Sequence, residues 1–129
     1  MSDTVNKKSR PVNLELQTIR LPVTAIASIL HRVSGVLTFF ALAVLLSLLA
    51  KSLQSADGFA LVASWFDSSI VKLLIWAILS VLMYHIVFGI RHMIMDMGYW
   101  EELSSGSASA RGGFIVTVVL IILMGVLVW

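Results

Sequence analysis

The chain has 129 residues, of which 59% are hydrophobic and only 12% are charged. Soluble domains average about 45–50% apolar and about 25% charged residues, so this composition indicates a membrane protein without a separate soluble domain. The sequence contains no cysteine, which excludes a disulfide, a thiolate-held iron–sulfur cluster and a cysteine-type zinc site within this chain. A formal net charge of +2 is too small to indicate nucleic-acid binding.

The first element in chain order is a polar tail over residues 1–22. Pro11 and Pro22 interrupt regular helix in this segment, because proline lacks a backbone N–H and clashes with the preceding turn. The first long apolar run begins only after Arg32. We therefore expect the tail to stay on its own side of the membrane.

Three apolar stretches follow the tail, and each is long enough to cross the roughly 30 Å hydrocarbon core as a helix. The sequence predicts an all-α integral membrane fold, with one membrane domain over residues 23–129 and spans at about 24–50, 70–95 and 111–129. The loop before the second span holds a turn signal at Ser55, followed by interfacial aromatic residues. The loop before the third span contains Ser104–Ser109, whose composition predicts a flexible linker.

The distribution of lysine and arginine predicts the orientation of these spans. The segment through Arg32 carries five such residues, whereas each of the two loops carries two. Positive residues accumulate on the cytoplasmic side of membrane proteins. We therefore expect a cytoplasmic N-terminus and a periplasmic C-terminus.

His85 is the ionisable residue that lies well inside the second span, roughly 9 Å from the end marked by Arg91 at about 1.5 Å per residue. At this depth an imidazole can bind a metal or haem iron, relay protons or donate to a neighbouring helix. Gly89 and His92 follow four and seven residues later, on the same helix face. The glycine leaves a recess that admits either a close neighbouring helix or a planar macrocycle.

A second set of polar residues is predicted in the first span, near the same membrane surface as the Arg91 end of the second span. Ser28, His31 and Arg32 are spaced to share one face of a helix, so a hydroxyl, an imidazole and a guanidinium are presented together. With Arg91, His92 and Asp96 of the second span, these residues would form a polar belt at one level. The alternative is ordinary membrane flanking, since basic residues are common at cytoplasmic helix ends.

A metal site made by this chain alone is not expected. His85 and His92 lie on one face of one helix and cannot approach a single iron from opposite sides, and His31 is expected nearer the membrane surface than His85. If His85 binds haem iron that has two histidine ligands, the second histidine should therefore come from another chain.

Two motifs carry a resemblance to a known family. The first reads Ser28-Ile-Leu-His31-Arg32-Val-Ser34-Gly35, and the second reads His85-x-x-x-Gly89-Ile-Arg91-His92-Met-x-x-Asp96. With Arg10-Pro-Val-Asn-Leu in the tail and the Gly-Val-Leu-Val-Trp ending, they make the chain resemble the cytochrome b556 subunits of bacterial succinate dehydrogenase. The resemblance extends over nearly the whole chain.

This resemblance implies half of a two-chain membrane anchor in the bacterial inner membrane, a subunit of an oxidoreductase that does not itself oxidise succinate. It implies haem b shared with the sister anchor, a flavoprotein and an iron–sulfur protein as partners, and ubiquinone as the electron acceptor. By matching position, His85 would be an axial haem ligand, Ser28 and Arg32 would bind ubiquinone, and His31 and Arg32 would contact the haem propionates. The alternatives are a fumarate reductase anchor and a small proton or solute transporter, although residues 112–129 offer a transporter no ionisable group.

Overall fold

The structure, a computed structural model, describes residues 18–129, so most of the predicted 1–22 tail lies outside the described residues. The described part is helical and contains no strand. Its four helices are α1 (Val23–Gln54), α2 (Ala56–Trp65), α3 (Ser69–Asp96) and α4 (Leu103–Val128). Of these, α1, α3 and α4 are long and apolar enough to cross a membrane. The predicted all-α membrane fold with three spans is confirmed.

The prediction of a flexible linker at Ser104–Ser109 is wrong, because α4 begins at Leu103 and includes this stretch. Two of the four serine hydroxyls donate to carbonyl groups of the preceding turn, from Ser105 to Glu102 at 3.2 Å and from Ser109 to Gly106 at 2.9 Å. These bonds satisfy those two hydroxyls within the helix. Small residues also let helices approach closely in a membrane protein, so a composition typical of a soluble linker forms an interface here.

The loop after the first span is also more ordered than its turn signal predicts. Helix α1 continues to Gln54, and Ser55 caps α2 by accepting a hydrogen bond from the Gly58 amide at 3.0 Å. A β-carbon at Gly58 would lie 2.5 Å from the Lys51 carbonyl oxygen, so only glycine fits this close approach. The short helix α2 therefore folds back tightly on the end of α1.

The core of the bundle lies between α1, α3 and α4 and is built from small and aromatic residues. Ala27, Phe88 and Ala110, one from each helix, are completely buried. The Tyr84 hydroxyl donates to the Ala27 carbonyl at 3.1 Å, which joins α3 to α1. Most other apolar side chains are exposed, for example Phe39 at 73%, as expected for helices that face lipid or other chains.

Adjacent glycines in α4 provide a test of this packing. A β-carbon at Gly113 would lie 3.1 Å from the Phe88 ring, whereas one at Gly112 would meet nothing within 4 Å. We expect Gly113→Val to destabilise the bundle by about 1–3 kcal/mol through overpacking, and Gly112→Val to have much less effect. Thermal unfolding of the detergent-purified protein measures the difference. Equal loss in the two variants would contradict the α3–α4 packing described here.

Candidate functional site

Helix α3 presents two chemically different faces. Tyr84, Phe88 and Arg91 point into the three-helix core. His85, Gly89, His92 and Asp96 line a groove of about 470 Å³ on another side of the helix, together with His31 of α1. Ile86, Ile90 and Met93 also line this groove and are exposed, so it opens outside the bundle. The predicted shared face of His85, Gly89 and His92 is confirmed.

His85 is held in place by α1. Its Nδ1 lies 3.0 Å from the hydroxyl of Ser34, which is only 5% exposed. The same hydroxyl donates to the His31 carbonyl at 2.7 Å. A β-carbon at Gly35 would lie 3.2 Å from His85 Cε1, so the glycine makes room for the edge of the imidazole. Sequence reasoning missed this role of Ser34, although its position three residues after His31 was visible in the motif.

His31 packs directly against the other two histidines of the groove. Its ring stacks on that of His85 with centroids 4.4 Å apart and planes within 9°, and it lies 4.9 Å from the His92 ring. The expectation that His31 and His85 lie at different levels is therefore wrong for their side chains. A β-carbon at Gly89 would lie 3.4 Å from His31 Nε2, so within this chain the glycine recess accommodates the His31 ring.

The Nε2 atom of His31 is buried, and among residues 18–129 it has no hydrogen-bond partner. A buried polar atom of this kind is unusual in a native structure. This nitrogen lies against the backbone of α3 beside Gly89.

Ser28 and Arg32 form a separate pair one helical turn apart on α1. The Arg32 guanidinium donates to the Ser28 hydroxyl at 3.5 Å, a long hydrogen bond. Arg32 is exposed and Ser28 is half-buried. The structure thus brings these two predicted residues together, with a guanidinium that keeps most of its donors available to a ligand.

Arg91 does not join His92 and Asp96 in the predicted polar belt. Its side chain is 4% exposed and donates from Nε to the Ser109 hydroxyl at 3.0 Å and from a terminal nitrogen to the Gly106 carbonyl at 2.9 Å. Arg91 is also not an exposed basic residue that merely flanks the membrane at a helix end, which was the alternative interpretation. It joins α3 to the first turns of α4.

We expect Arg91→Ala to destabilise the bundle by about 1–3 kcal/mol, because one buried and one partly buried interhelical hydrogen bond are lost. Arg111→Ala removes an exposed arginine of α4 and is the matched control. Thermal unfolding of the detergent-purified protein should separate the two variants. A melting temperature for Arg91→Ala equal to that of Arg111→Ala would show that these bonds add no stability.

The chemistry of the groove suits a ligand that needs one imidazole nitrogen from this chain. Within residues 18–129, no group of three or more histidine, aspartate or glutamate side chains is placed to hold a metal ion. His85 nevertheless offers an imidazole whose Nδ1 is anchored, and among the described residues no hydrogen bond involves its Nε2. Such an imidazole is a suitable single ligand for a haem iron.

Comparisons with known proteins agree with the motifs. The chain is similar to the succinate dehydrogenase cytochrome b556 subunit of Coxiella burnetii, with 39% identity over 121 residues that cover 93% of this chain and 97% of the relative. The subunit of the same name from Paracoccus denitrificans is 32% identical, with 92% of each chain covered. The succinate dehydrogenase cytochrome b560 subunit of Marchantia polymorpha is 31% identical, with 76% of this chain and 75% of the relative covered.

The family model described as the succinate dehydrogenase/fumarate reductase transmembrane subunit matches residues 6–124. This match includes α1, α2, α3 and most of α4. The chain therefore belongs to the family of transmembrane subunits of succinate dehydrogenase and fumarate reductase, and it is a multi-pass membrane protein.

Proposed function

We propose that this chain is a membrane-anchor subunit of a succinate dehydrogenase, that it binds haem b together with a second anchor subunit, and that it forms part of a ubiquinone-reduction site. One observation carries the proposal most directly. His85, inside a membrane span, lines a groove that opens outside the three-helix bundle, and its Nδ1 is anchored within the chain. An imidazole in this position can bind a group that lies between two chains.

The haem would be held by His85 Nε2 on this side. A second axial histidine would come from the sister anchor, because His92 is on the same helix face as His85 and the His31 ring lies flat against it. When bound, haem b supplies a one-electron carrier inside the membrane. We assign His31 and Arg32 to the haem propionates, since an imidazole that lines the groove and an exposed guanidinium can both donate to carboxylates.

Ubiquinone would bind at Ser28 and Arg32. The hydroxyl and the guanidinium, within 3.5 Å of each other, can both donate to quinone oxygens. Reduction of a quinone takes up two electrons and two protons, and negative charge develops on its oxygens before the protons arrive. A fixed positive charge at Arg32 stabilises that charge, which lowers the barrier to reduction.

The remaining subunits would perform the chemistry that this chain cannot. A flavoprotein would oxidise succinate and an iron–sulfur protein would pass the electrons to the membrane, since this chain has no cysteine for a cluster. The distribution of lysine and arginine supports a cytoplasmic N-terminus and a periplasmic C-terminus in the inner membrane of a bacterium.

Succinate oxidation is favoured over fumarate reduction as the physiological direction because the relatives from Coxiella, Paracoccus and Marchantia are all named as succinate dehydrogenase subunits. A transporter is disfavoured by the family match over residues 6–124. Fumarate reductase remains the alternative direction for the same anchor.

Purification through an affinity tag on this chain tests the proposed assembly. We expect four polypeptides, one haem b per complex in the reduced-minus-oxidised spectrum, and succinate-dependent reduction of ubiquinone. Isolation of this chain without a flavoprotein, or a complex with no b-type haem signal, would contradict the proposal.

A further inference from the structure

We infer that Ser34 fixes the tautomer and orientation of His85, so that the Nε2 lone pair is free to bind iron. This role of Ser34 as a positioning residue rests on the proposed function of His85 as a haem ligand.

The hydrogen-bond pattern around Ser34 determines the tautomer. A hydroxyl has one hydrogen, and a carbonyl oxygen can only accept. The 2.7 Å contact from Ser34 Oγ to the His31 carbonyl therefore uses the hydrogen of Ser34. In the 3.0 Å contact with His85, the hydroxyl oxygen must then accept, so His85 Nδ1 carries the proton and donates.

The surroundings keep this arrangement in place. Ser34 is 5% exposed, so water cannot readily replace either of its partners. The His31 ring lies on one face of the His85 ring at 4.4 Å, and Gly35 leaves space for its Cε1 edge. Three features of α1, namely the stacked ring of His31, the hydroxyl of Ser34 and the missing side chain of Gly35, thus orient one imidazole of α3.

A neutral imidazole with its proton on Nδ1 has its lone pair on Nε2, which is the form that binds a metal. Donation from Nδ1 to an acceptor also raises the basicity of the ligating nitrogen. A more basic ligand stabilises ferric over ferrous iron. Loss of the Ser34 hydroxyl would therefore weaken haem binding and make the midpoint potential of the haem more positive.

Ser34→Ala tests this inference in the purified complex. We expect haem affinity to fall by about 10- to 100-fold, the size usual for loss of a partner to a metal-ligating histidine. The haem that remains should show a more positive midpoint potential and an altered low-spin electron paramagnetic resonance signal. Ser34→Thr keeps the hydroxyl and should restore all three properties.

Ser80→Ala is the matched control, because Ser80 is a half-buried membrane serine that donates only to its own helix, to the Trp76 carbonyl at 2.7 Å. Haem affinity, potential and resonance signal in Ser34→Ala that equal those of Ser80→Ala would overturn the role of Ser34 and leave the proposed function intact. A Ser34→Ala complex that fails to assemble, with Ser34→Thr showing an unchanged haem, would support a positioning hydroxyl. Low-spin haem that persists when His85→Ala is combined with His31→Ala, which removes the ring stacked 4.4 Å away, would overturn both the proposed function and this inference.

Discussion

His85→Ala is expected to abolish the low-spin signal of the oxidised haem in the purified complex. A haem held by two histidines is six-coordinate, and removal of one imidazole leaves a five-coordinate, high-spin iron or no haem at all. In the native packing His31 lies flat against the His85 ring and His92 is seven residues further along the same face, so neither imidazole occupies the position of His85. The measurement is electron paramagnetic resonance, with the reduced-minus-oxidised absorption spectrum as a check on haem content.

His92→Ala is the matched control for this experiment, because it removes a second imidazole from the same groove. We expect His92→Ala to keep the low-spin signal. Loss of that signal in His92→Ala together with its retention in His85→Ala would show that the iron binds His92, and the proposed ligand would be wrong.

Arg32→Ala is expected to lower succinate-dependent ubiquinone reduction by about 100-fold or more, the effect usual for loss of a donor that stabilises developing negative charge. Succinate oxidation by a soluble artificial acceptor should remain near the wild-type rate, because that reaction does not need the quinone site. Arg32→Lys keeps the charge but not the planar arrangement of donors, so an intermediate rate is expected. Parallel assays of both reactions on the same complex measure these effects.

Arg111→Ala serves as the control, since Arg111 is another exposed arginine in a membrane-spanning helix. Equal loss of quinone reduction in Arg32→Ala and Arg111→Ala would indicate a general effect of surface charge. Equal loss of both reactions in Arg32→Ala would indicate damage to the assembled complex, and it would argue against a quinone-binding role for Arg32.

Hydropathy was sufficient to predict the three spans, because the hydrocarbon core requires long apolar helices whatever the tertiary contacts. It could not predict where α4 begins. Serine and glycine favour flexible linkers in water. In α4, however, the Ser109 hydroxyl and the Gly106 carbonyl accept hydrogen bonds from Arg91 of α3. The tertiary partner of these residues is not visible in their local composition.

The site was predictable to the extent that it lies on one helix. The spacing of His85, Gly89 and His92 placed them on one face, and Ser28 and Arg32 were correctly paired by the same rule. Contacts between helices were not predictable in this way. The stacking of His31 on His85 and the hydrogen bond between His85 Nδ1 and Ser34 depend on how α1 and α3 pack side by side.

The central claim is that His85 provides one axial ligand to a haem shared with a second anchor subunit. A cryo-electron microscopy structure of the purified complex tests this claim most directly. We expect haem in the groove beside α3, with His85 Nε2 and a histidine of the second anchor bound to iron and with His85 Nδ1 hydrogen-bonded to Ser34. A haem whose two ligands both come from the other chain, or a complex without haem in this groove, would contradict it.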